Sequence, residues 1–282
     1  MKSTTILVTG CAGFIGSNFV STFREKFPTT NIVGLDDFST GRRGAVDPSI
    51  TFIEGSVLNA SLVEKLFRQY KPKYVFHFSA IPRVSYSIEH PIESSEVNIM
   101  GTVHLLDAAK NFGTKRFIYS ASSSVYGGAK KLPTKESENS PNPRSPYAIQ
   151  KYVGELYCKT YSDLFEIDSV CLRYFNAFGP GQYGDSPYSS VISSWLEALY
   201  LPGKTKPFLE GDGKQTRDFC YIDNVVQANI LAMQHKERLG GDVFNIAYGE
   251  KTTLNNVRSL IEELSGRQLV LEMRPARIGD VR

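Results

Sequence analysis

Short β-rich apolar runs alternate with longer stretches of helical periodicity over the first two-thirds of the chain. The strand candidates are Thr5–Thr9, Asn31–Asp36, Thr51–Gly55, Tyr74–Ser79, Arg116–Ala121 and Asp168–Tyr174. Helical patterns between them cover Phe14–Phe27, Ser61–Tyr70, Ser94–Phe112 and Pro146–Phe165. This alternation predicts an α/β fold, a doubly wound parallel sheet with helices on both faces. Such sheets bind ligands beyond the carboxyl ends of their strands. After about Phe178 the rhythm changes, and Gly179-Pro180-Gly181, Pro187, Pro202-Gly203 and Gly211-Asp212-Gly213 break the chain into loops. One strand (Val243–Ala247) and two helical patterns (Asp223–His235 and Leu254–Leu264) remain there. The expected organisation is therefore a sheet domain over 1–177 and a smaller α/β lobe over 178–282, with some sheet elements crossing between them.

Composition narrows the class without naming it. With 282 residues, 41% hydrophobic and 22% charged, the chain resembles an ordinary soluble globular protein. A net charge of +3, with Lys and Arg scattered, argues against nucleic acid as partner. Arg42-Arg43 and Lys130-Lys131 read as solvated loop charges. Cys11, Cys158, Cys171 and Cys220 lie far apart without a CxxC pair or ligand spacing, so reduced thiols and no metal are expected. No signal peptide precedes the first strand, and no apolar run reaches the roughly 18 residues a membrane span requires. The expectation is a cytoplasmic protein with no membrane partner.

The first strand runs into Gly10-Cys11-Ala12-Gly13-Phe14-Ile15-Gly16 and then a helix. Gly10 permits a tight turn, Gly13 a close approach to a pyrophosphate, and Gly16 close packing of helix on sheet. The helix start offers N–H groups and a positive dipole end to phosphates. Asp36 ends the second strand 20 residues after Gly16, placed to accept hydrogen bonds from a ribose. Its charge disfavours a 2′-phosphate and favours NAD over NADP, although Arg42 and Arg43 lie near enough to weaken that preference. The fold expected is thus a Rossmann-type sheet.

Ser145-Pro146-Tyr147-Ala148-Ile149-Gln150-Lys151 has the form of a helix start, with Ser145 as cap and Pro146 in the first turn. Tyr147 and Lys151 then share one face. An ammonium beside a phenol, helped by a positive nicotinamide ring, is expected to draw the tyrosine's pKa from about 10 toward working pH. A Tyr-x-x-x-Lys match alone is weak. It gains weight from Tyr119-Ser120-Ala121-Ser122-Ser123-Ser124-Val125-Tyr126-Gly127, whose serines fall at the carboxyl end of a sheet strand.

Together these motifs resemble the extended short-chain dehydrogenase/reductases, in particular UDP-sugar 4-epimerases of the UDP-glucose and UDP-N-acetylglucosamine type. Leu172-Arg173-Tyr174-Phe175-Asn176 and the segment from Gly211-Asp212-Gly213 through Arg217-Asp218-Phe219 to Tyr221-Ile222-Asp223 carry it into the second lobe. The resemblance implies Tyr147 as base, Lys151 as its tuner and ribose ligand, and Ser122 as the hydroxyl assisting at the sugar O4. For NAD it implies Gly10, Gly13, Phe14, Ile15, Gly16, Asp36, Ser56, Val57, Phe78, Ala80, Ser120, Tyr147, Lys151 and Tyr174, with Asn98 contributing from the helix it opens. For the nucleotide-sugar it implies Ser122, Ser123, Tyr147, Asn176, Val191, Phe208, Arg217, Arg277 and Asp280, with the arginines on the diphosphate. It also implies a UDP-sugar substrate, a place in polysaccharide biosynthesis, and a homodimer built on the helices of Asn98–Phe112 and Tyr147–Ser162. Leu105, Leu106, Ala109, Tyr152, Leu156 and Tyr157 would be its contacts.

Related 4,6-dehydratases carry an Asp-Glu pair where this chain has Ser123-Ser124, which cannot supply a carboxyl acid–base step. Ser56 stands where an Asp commonly touches adenine, so a weakened adenine contact is expected. Family members also continue beyond Arg282, where a pocket-sizing residue would fall, which raises the expectation of an incomplete lobe. The leading reading is a UDP-hexose 4-epimerase with N-acetylated sugars slightly favoured. UDP-glucuronate or UDP-pentose 4-epimerization, reduction of a keto-sugar nucleotide, and a non-catalytic NAD(H)-sensing role remain alternatives.

Overall fold

The computed structural model describes residues 4–128, 131–184, 190–201, 203 and 206–275. Its strands are β1 (Thr5–Thr9), β2 (Asn31–Asp36), β3 (Thr51–Glu54), β4 (Tyr74–His77), β5 (Arg116–Ser122), β6 (Asp168–Tyr174), β7 (Asn176–Phe178), β8 (Phe208–Glu210), β9 (Thr216–Arg217), β10 (Phe219–Tyr221), β11 (Asp242–Ile246), β12 (Thr252–Thr253) and β13 (Glu272–Arg274). Its helices are α1 (Phe14–Lys26), α2 (Ala60–Tyr70), α3 (Val84–Glu89), α4 (Pro91–Ser95), α5 (Gly101–Phe112), α6 (Pro146–Leu164), α7 (Val191–Tyr200), α8 (Ile222–Gln234) and α9 (Leu254–Ser265).

Seven strands form one sheet in the order β3-β2-β1-β4-β5-β6-β11, every neighbouring pair parallel. Strands covered on both faces read as continuous apolar runs. That is why Ile6, Leu7 and Val8, all at most 1% exposed, could be placed from sequence. One face is covered by α1 and α8, whose Phe19, Val20, Phe23, Val225, Val226 and Ile230 share a core. The other is covered by α2, α5 and α6, through residues such as Leu66, Phe67, Leu105, Leu106 and Cys158. The order reverses between β1 and β4, and such a switch opens a crevice at the strands' carboxyl edge. Strand β11 and helix α8, both from the chain after residue 177, complete the main sheet and its cover. The rest of that segment has its own small core of Trp195, Leu209, Val257, Ile261 and Leu269.

Three expectations need correction. The stretch Ser94–Phe112 is helical throughout, but not as a regular α-helix: α4 passes into a π-helical turn at Glu96–Met100 before α5 begins. Asn98 therefore sits inside this wide turn rather than opening a helix. The segment after Phe178 contains a third helix, α7, and short strand pairs β8–β13 and β9–β12, and its β10 pairs with β7 just before it. The sole tryptophan, Trp195, anchors α7 in the small core and donates its ring N–H to Phe208 O at 3.1 Å. Finally, Leu105, Leu106 and Ala109 are fully buried beneath α5 and cannot be contacts of a second chain, whereas Leu156 and Tyr157 are exposed. All four cysteines are buried and free. Among the described residues, no helix is long and apolar enough to cross a membrane, and no His/Cys/Asp/Glu cluster is placed to hold a metal.

Candidate active site

The residues expected to transfer a proton meet at the carboxyl edge of β5 and β6. Ser145 caps α6 by accepting from Ala148 N at 3.2 Å, and Pro146 fills the first turn. This start sets Tyr147 and Lys151 one turn apart, both buried. The Tyr147 hydroxyl shares a hydrogen bond with Ser122, the last residue of β5. Ser122 Oγ in turn accepts from the Ser124 hydroxyl at 2.9 Å and from Ser124 N at 3.2 Å. Ser123 opens the 3₁₀ turn that follows. Lys151 Nζ donates to Ser120 O at 2.8 Å and lies 6.0 Å from the centre of the Tyr147 ring.

The electrostatics differ from the expected pattern. Burial pushes the Tyr147 phenol up to about 12, with the Ser122 hydrogen bond pulling the other way. Burial also brings the Lys151 ammonium down to about 8. Both groups occupy one desolvated pocket, and the ammonium is bonded to a carbonyl rather than to the phenol. The protein by itself therefore keeps Tyr147 protonated at neutral pH. A positive charge brought beside the phenol lowers that value.

A second cluster lies at the ends of β1, β2 and β3. Gly10 has a φ of +70°, and a Cβ there would fall 2.7 Å from Ser79 N. A Cβ on Gly16 would fall 2.0 Å from Gly10 O, so helix and turn touch with no room for a side chain. No side chain caps the start of α1, so the helix end that carries Phe14, Ile15 and Gly16 has no side-chain acceptor at its positive dipole end. Asp36 accepts from Ala12 N at 2.9 Å and from Phe38 N at 2.8 Å, its carboxyl raised above the usual range by burial. Ser56 hydrogen-bonds Asp37, and Val57 packs under Gly101, where a Cβ would come within 2.5 Å. Phe78 donates its backbone N–H to Thr9 O and turns its ring toward Phe19 and Phe76, and Ala80, two residues on, is half-buried. A tight glycine turn, an uncapped helix start and a terminal carboxylate suit a dinucleotide's pyrophosphate and ribose.

Several residues that support these clusters carry no local sequence signal. Ser87 Oγ accepts the backbone N–H of Tyr147 at 3.0 Å. Gln150, between Tyr147 and Lys151, accepts from Asn98 Nδ2 at 2.8 Å and donates to Ser94 and Ser95 at 2.9 and 3.0 Å. Asn98 also clamps Ile81, accepting from its N at 2.8 Å and donating to its O at 3.1 Å, so both side-chain functions are engaged within the protein. His77 bridges Thr9 and Thr102 at 2.8 and 2.9 Å, and burial drives its pKa down to about 3. The Tyr174 hydroxyl is fixed between Ser120 and Asn229. These partners lie 17 to 68 residues apart, beyond any spacing rule.

The residues expected to hold the nucleotide-sugar are spread over the smaller lobe. Asn176 in β7 donates to Asp218 O at 2.9 Å. Val191 begins α7, and Arg217 in β9 bonds Thr216 O. The Phe208 ring is stacked by Arg274, 4.0 Å away, a partner the sequence did not reveal. Arg277 and Asp280 lie outside the described residues.

Residues 6–247 match the NAD dependent epimerase/dehydratase family. A UDP-glucose 4-epimerase of Mycolicibacterium smegmatis is 35% identical over 285 residues, covering 98% of this chain and 87% of that protein. Among solved structures, a UDP-glucose 4-epimerase of Thermotoga maritima with UDP-glucose superposes with a TM-score of 0.93 at 34% identity, covering 99% of this chain and 88% of that one. A UDP-N-acetylglucosamine 4-epimerase of Methanobrevibacter ruminantium, in complex with UDP-N-acetylmuramic acid, gives a TM-score of 0.90 at 35% identity, with 100% and 88% covered. With its switch-point crevice, glycine turn and buried Tyr–Lys pair, the chain belongs to the NAD dependent epimerase/dehydratase family.

Proposed function

We propose that the protein is a UDP-hexose 4-epimerase that inverts C4 through a transient 4-keto sugar. The observation that carries this reading is the Ser122–Tyr147–Lys151 cluster, in which Ser124 serves only to hold Ser122. A dehydratase needs an acid and a base beside the sugar to expel a hydroxyl, and the Ser123-Ser124 positions supply neither. Reversible oxidation at C4 needs, besides the cofactor's hydride acceptance, only a proton acceptor at O4, the role assigned to Tyr147.

NAD, the family's cofactor, supplies hydride acceptance and return at C4 when bound; Gly10, Gly13, Phe14, Ile15, Gly16 and Asp36 would hold it. Tyr147 takes the O4 proton and later gives it back. Ser122, whose hydroxyl is hydrogen-bonded to that of Tyr147, orients that oxygen. Lys151 keeps positive charge beside the ribose and the phenol. Arg217, with Arg277, fits the diphosphate, because a guanidinium fork matches phosphate oxygens. UDP-GlcNAc and UDP-GalNAc are slightly favoured over UDP-Glc and UDP-Gal, a reading supported by Tyr188-x-x-Val191-Ile192-x-x-Trp195, which resembles the N-acetylglucosamine branch. Glucuronate and pentose epimers are the competing substrates.

Incubation of the purified protein with UDP-GlcNAc, UDP-glucose, UDP-glucuronate and UDP-xylose, with epimers resolved by NMR, tests the proposal. C4 inversion without net change in nicotinamide absorbance is expected. Stoichiometric consumption of reduced nicotinamide would favour the keto-sugar reductase instead. Retention of NAD with no inversion of any sugar would favour the sensing role.

A homodimer is part of the same proposal. It is supported by an apolar outer face on which Ile88, Ile92, Met100, Ile149, Leu156 and Tyr157 are all exposed. A groove of about 480 Å³ lined by Pro91, Ile92, Ser95, Glu96, Ile99 and Met100 runs across it.

A further inference from the structure

Two loops flank the glycine turn from opposite parts of the chain. The loop after β2 reaches it through Arg42, whose backbone N–H donates to Ala12 O at 3.0 Å. Gly41 packs so closely that a Cβ there would fall 2.9 Å from Ala12. The loop after β7 reaches it from the other side, where Asn18 Nδ2 joins Pro180 O at 3.0 Å to Phe14 O at 2.8 Å. Asn18 stands one turn after Phe14, at the helix end facing the cradle. Within the described residues, Gln182 donates to Ala177 O at 3.0 Å and accepts from Ser190 at 2.8 Å.

The loops meet where the Arg42 guanidinium lies over the Tyr183 ring, 3.4 Å from its centre. Arg43, the neighbouring cation, is turned away and paired with Glu54 at 2.6 Å. We propose that the Arg42–Tyr183 stack is a clasp across the dinucleotide cradle that retains NAD between turnovers. An enzyme that regenerates its NAD in each cycle loses nothing by keeping it. A planar guanidinium on an aromatic face gives a joint that opens without breaking a buried contact. The clasp rests on NAD occupying the glycine turn and not on which sugar is epimerized.

Its test is the rate at which bound NAD exchanges with excess labelled NAD, followed after rapid gel filtration. Arg42→Ala and Tyr183→Ala should each release NAD about threefold to tenfold faster. The double variant should be no faster than the quicker single one, because either change removes the same contact. Tyr183→Phe, which keeps the ring, should behave as wild type. Thermal melting of the NAD-free forms should be unchanged, which separates the clasp from a general role in the fold. The clasp is overturned by wild-type release rates in both alanine variants, or by acceleration in Arg42→Ala alone, which would make Arg42 a direct ligand. Multiplicative effects in the double variant, or Tyr183→Phe as fast as Tyr183→Ala, overturn it equally. Wild-type protein that binds no NAD removes the cradle and the clasp with it.

Discussion

At the scale of single residues, the proposed chemistry depends on two groups whose charges the protein holds back. Tyr147 is buried with its phenol near 12, and Lys151 is buried with its ammonium near 8. Tyr147→Phe should lower kcat by about 10²–10⁴-fold, the usual worth of a positioned acid–base group, while NAD content measured after denaturation stays at the wild-type level. The pair also predicts how the NAD-free protein responds to base. Between about 8 and 10.5 the unfolded chain still binds the proton that folded Lys151 has released, so this residue makes stability rise with pH across that window. Between 10.0 and about 12 folded Tyr147 keeps a proton the unfolded chain has lost, so stability falls there with rising pH. Relative to Lys151→Met, the wild-type urea midpoint should therefore climb from pH 8 toward pH 10, while the buried Cys11 and Cys220 thiols, pushed above 9.0 by burial, add a fall above pH 9 common to both proteins. An unchanged slope in that variant would show that the ammonium is solvated.

At the scale of elements, His77 ties β4 to β1 through Thr9 and to α5 through Thr102. Burial holds its pKa near 3, against an ordinary 6.5. Below pH 6.5 the unfolded chain takes up a proton that the folded one refuses, so stability is lost as pH falls toward 3. His77→Asn should reduce that acid-side slope in denaturant titrations, at a cost in midpoint at neutral pH. Nothing in the sequence marks this joint. The strands were legible because parallel strands buried on both faces show as apolar runs, and Tyr-x-x-x-Lys and the glycine turn because helical and turn spacings are local. The π-helical turn at Glu96–Met100 was hidden because an apolar periodicity continues through it. Helix α7 was hidden by the glycines and prolines on either side, although Val191, Ile192 and Trp195 follow a helical period. Ser87 and Gln150, which seat Tyr147 and Lys151, find their partners 52 to 60 residues away, where only the assembled fold can show them.

At the scale of the whole molecule, the sheet consumes one face of each covering helix and leaves the other to water or to a partner. On α5 the inward face takes Leu105, Leu106 and Ala109 entirely. What α4, α6 and the turn between α4 and α5 leave outside is more apolar than water favours: Ile92 is 77% exposed, Ile149 and Leu156 each 49%. Exposed apolar side chains grouped on elements that pack against one another mark an interaction site more often than a bare surface. The proposed occupant is a second copy of the chain, related by a two-fold axis so that each α6 meets its equivalent. Charge placed at the middle of such an interface must be desolvated without a partner, at a cost of several kcal/mol. The double variant Ile92→Glu, Leu156→Glu should therefore turn a dimeric wild type into a monomer by light scattering at micromolar concentration. Because both side chains already face outward, monomers should keep their thermal midpoint and their NAD. A wild type that is itself monomeric would end the dimer proposal, and the Ser122–Tyr147–Lys151 cluster, complete within one chain, would be unaffected.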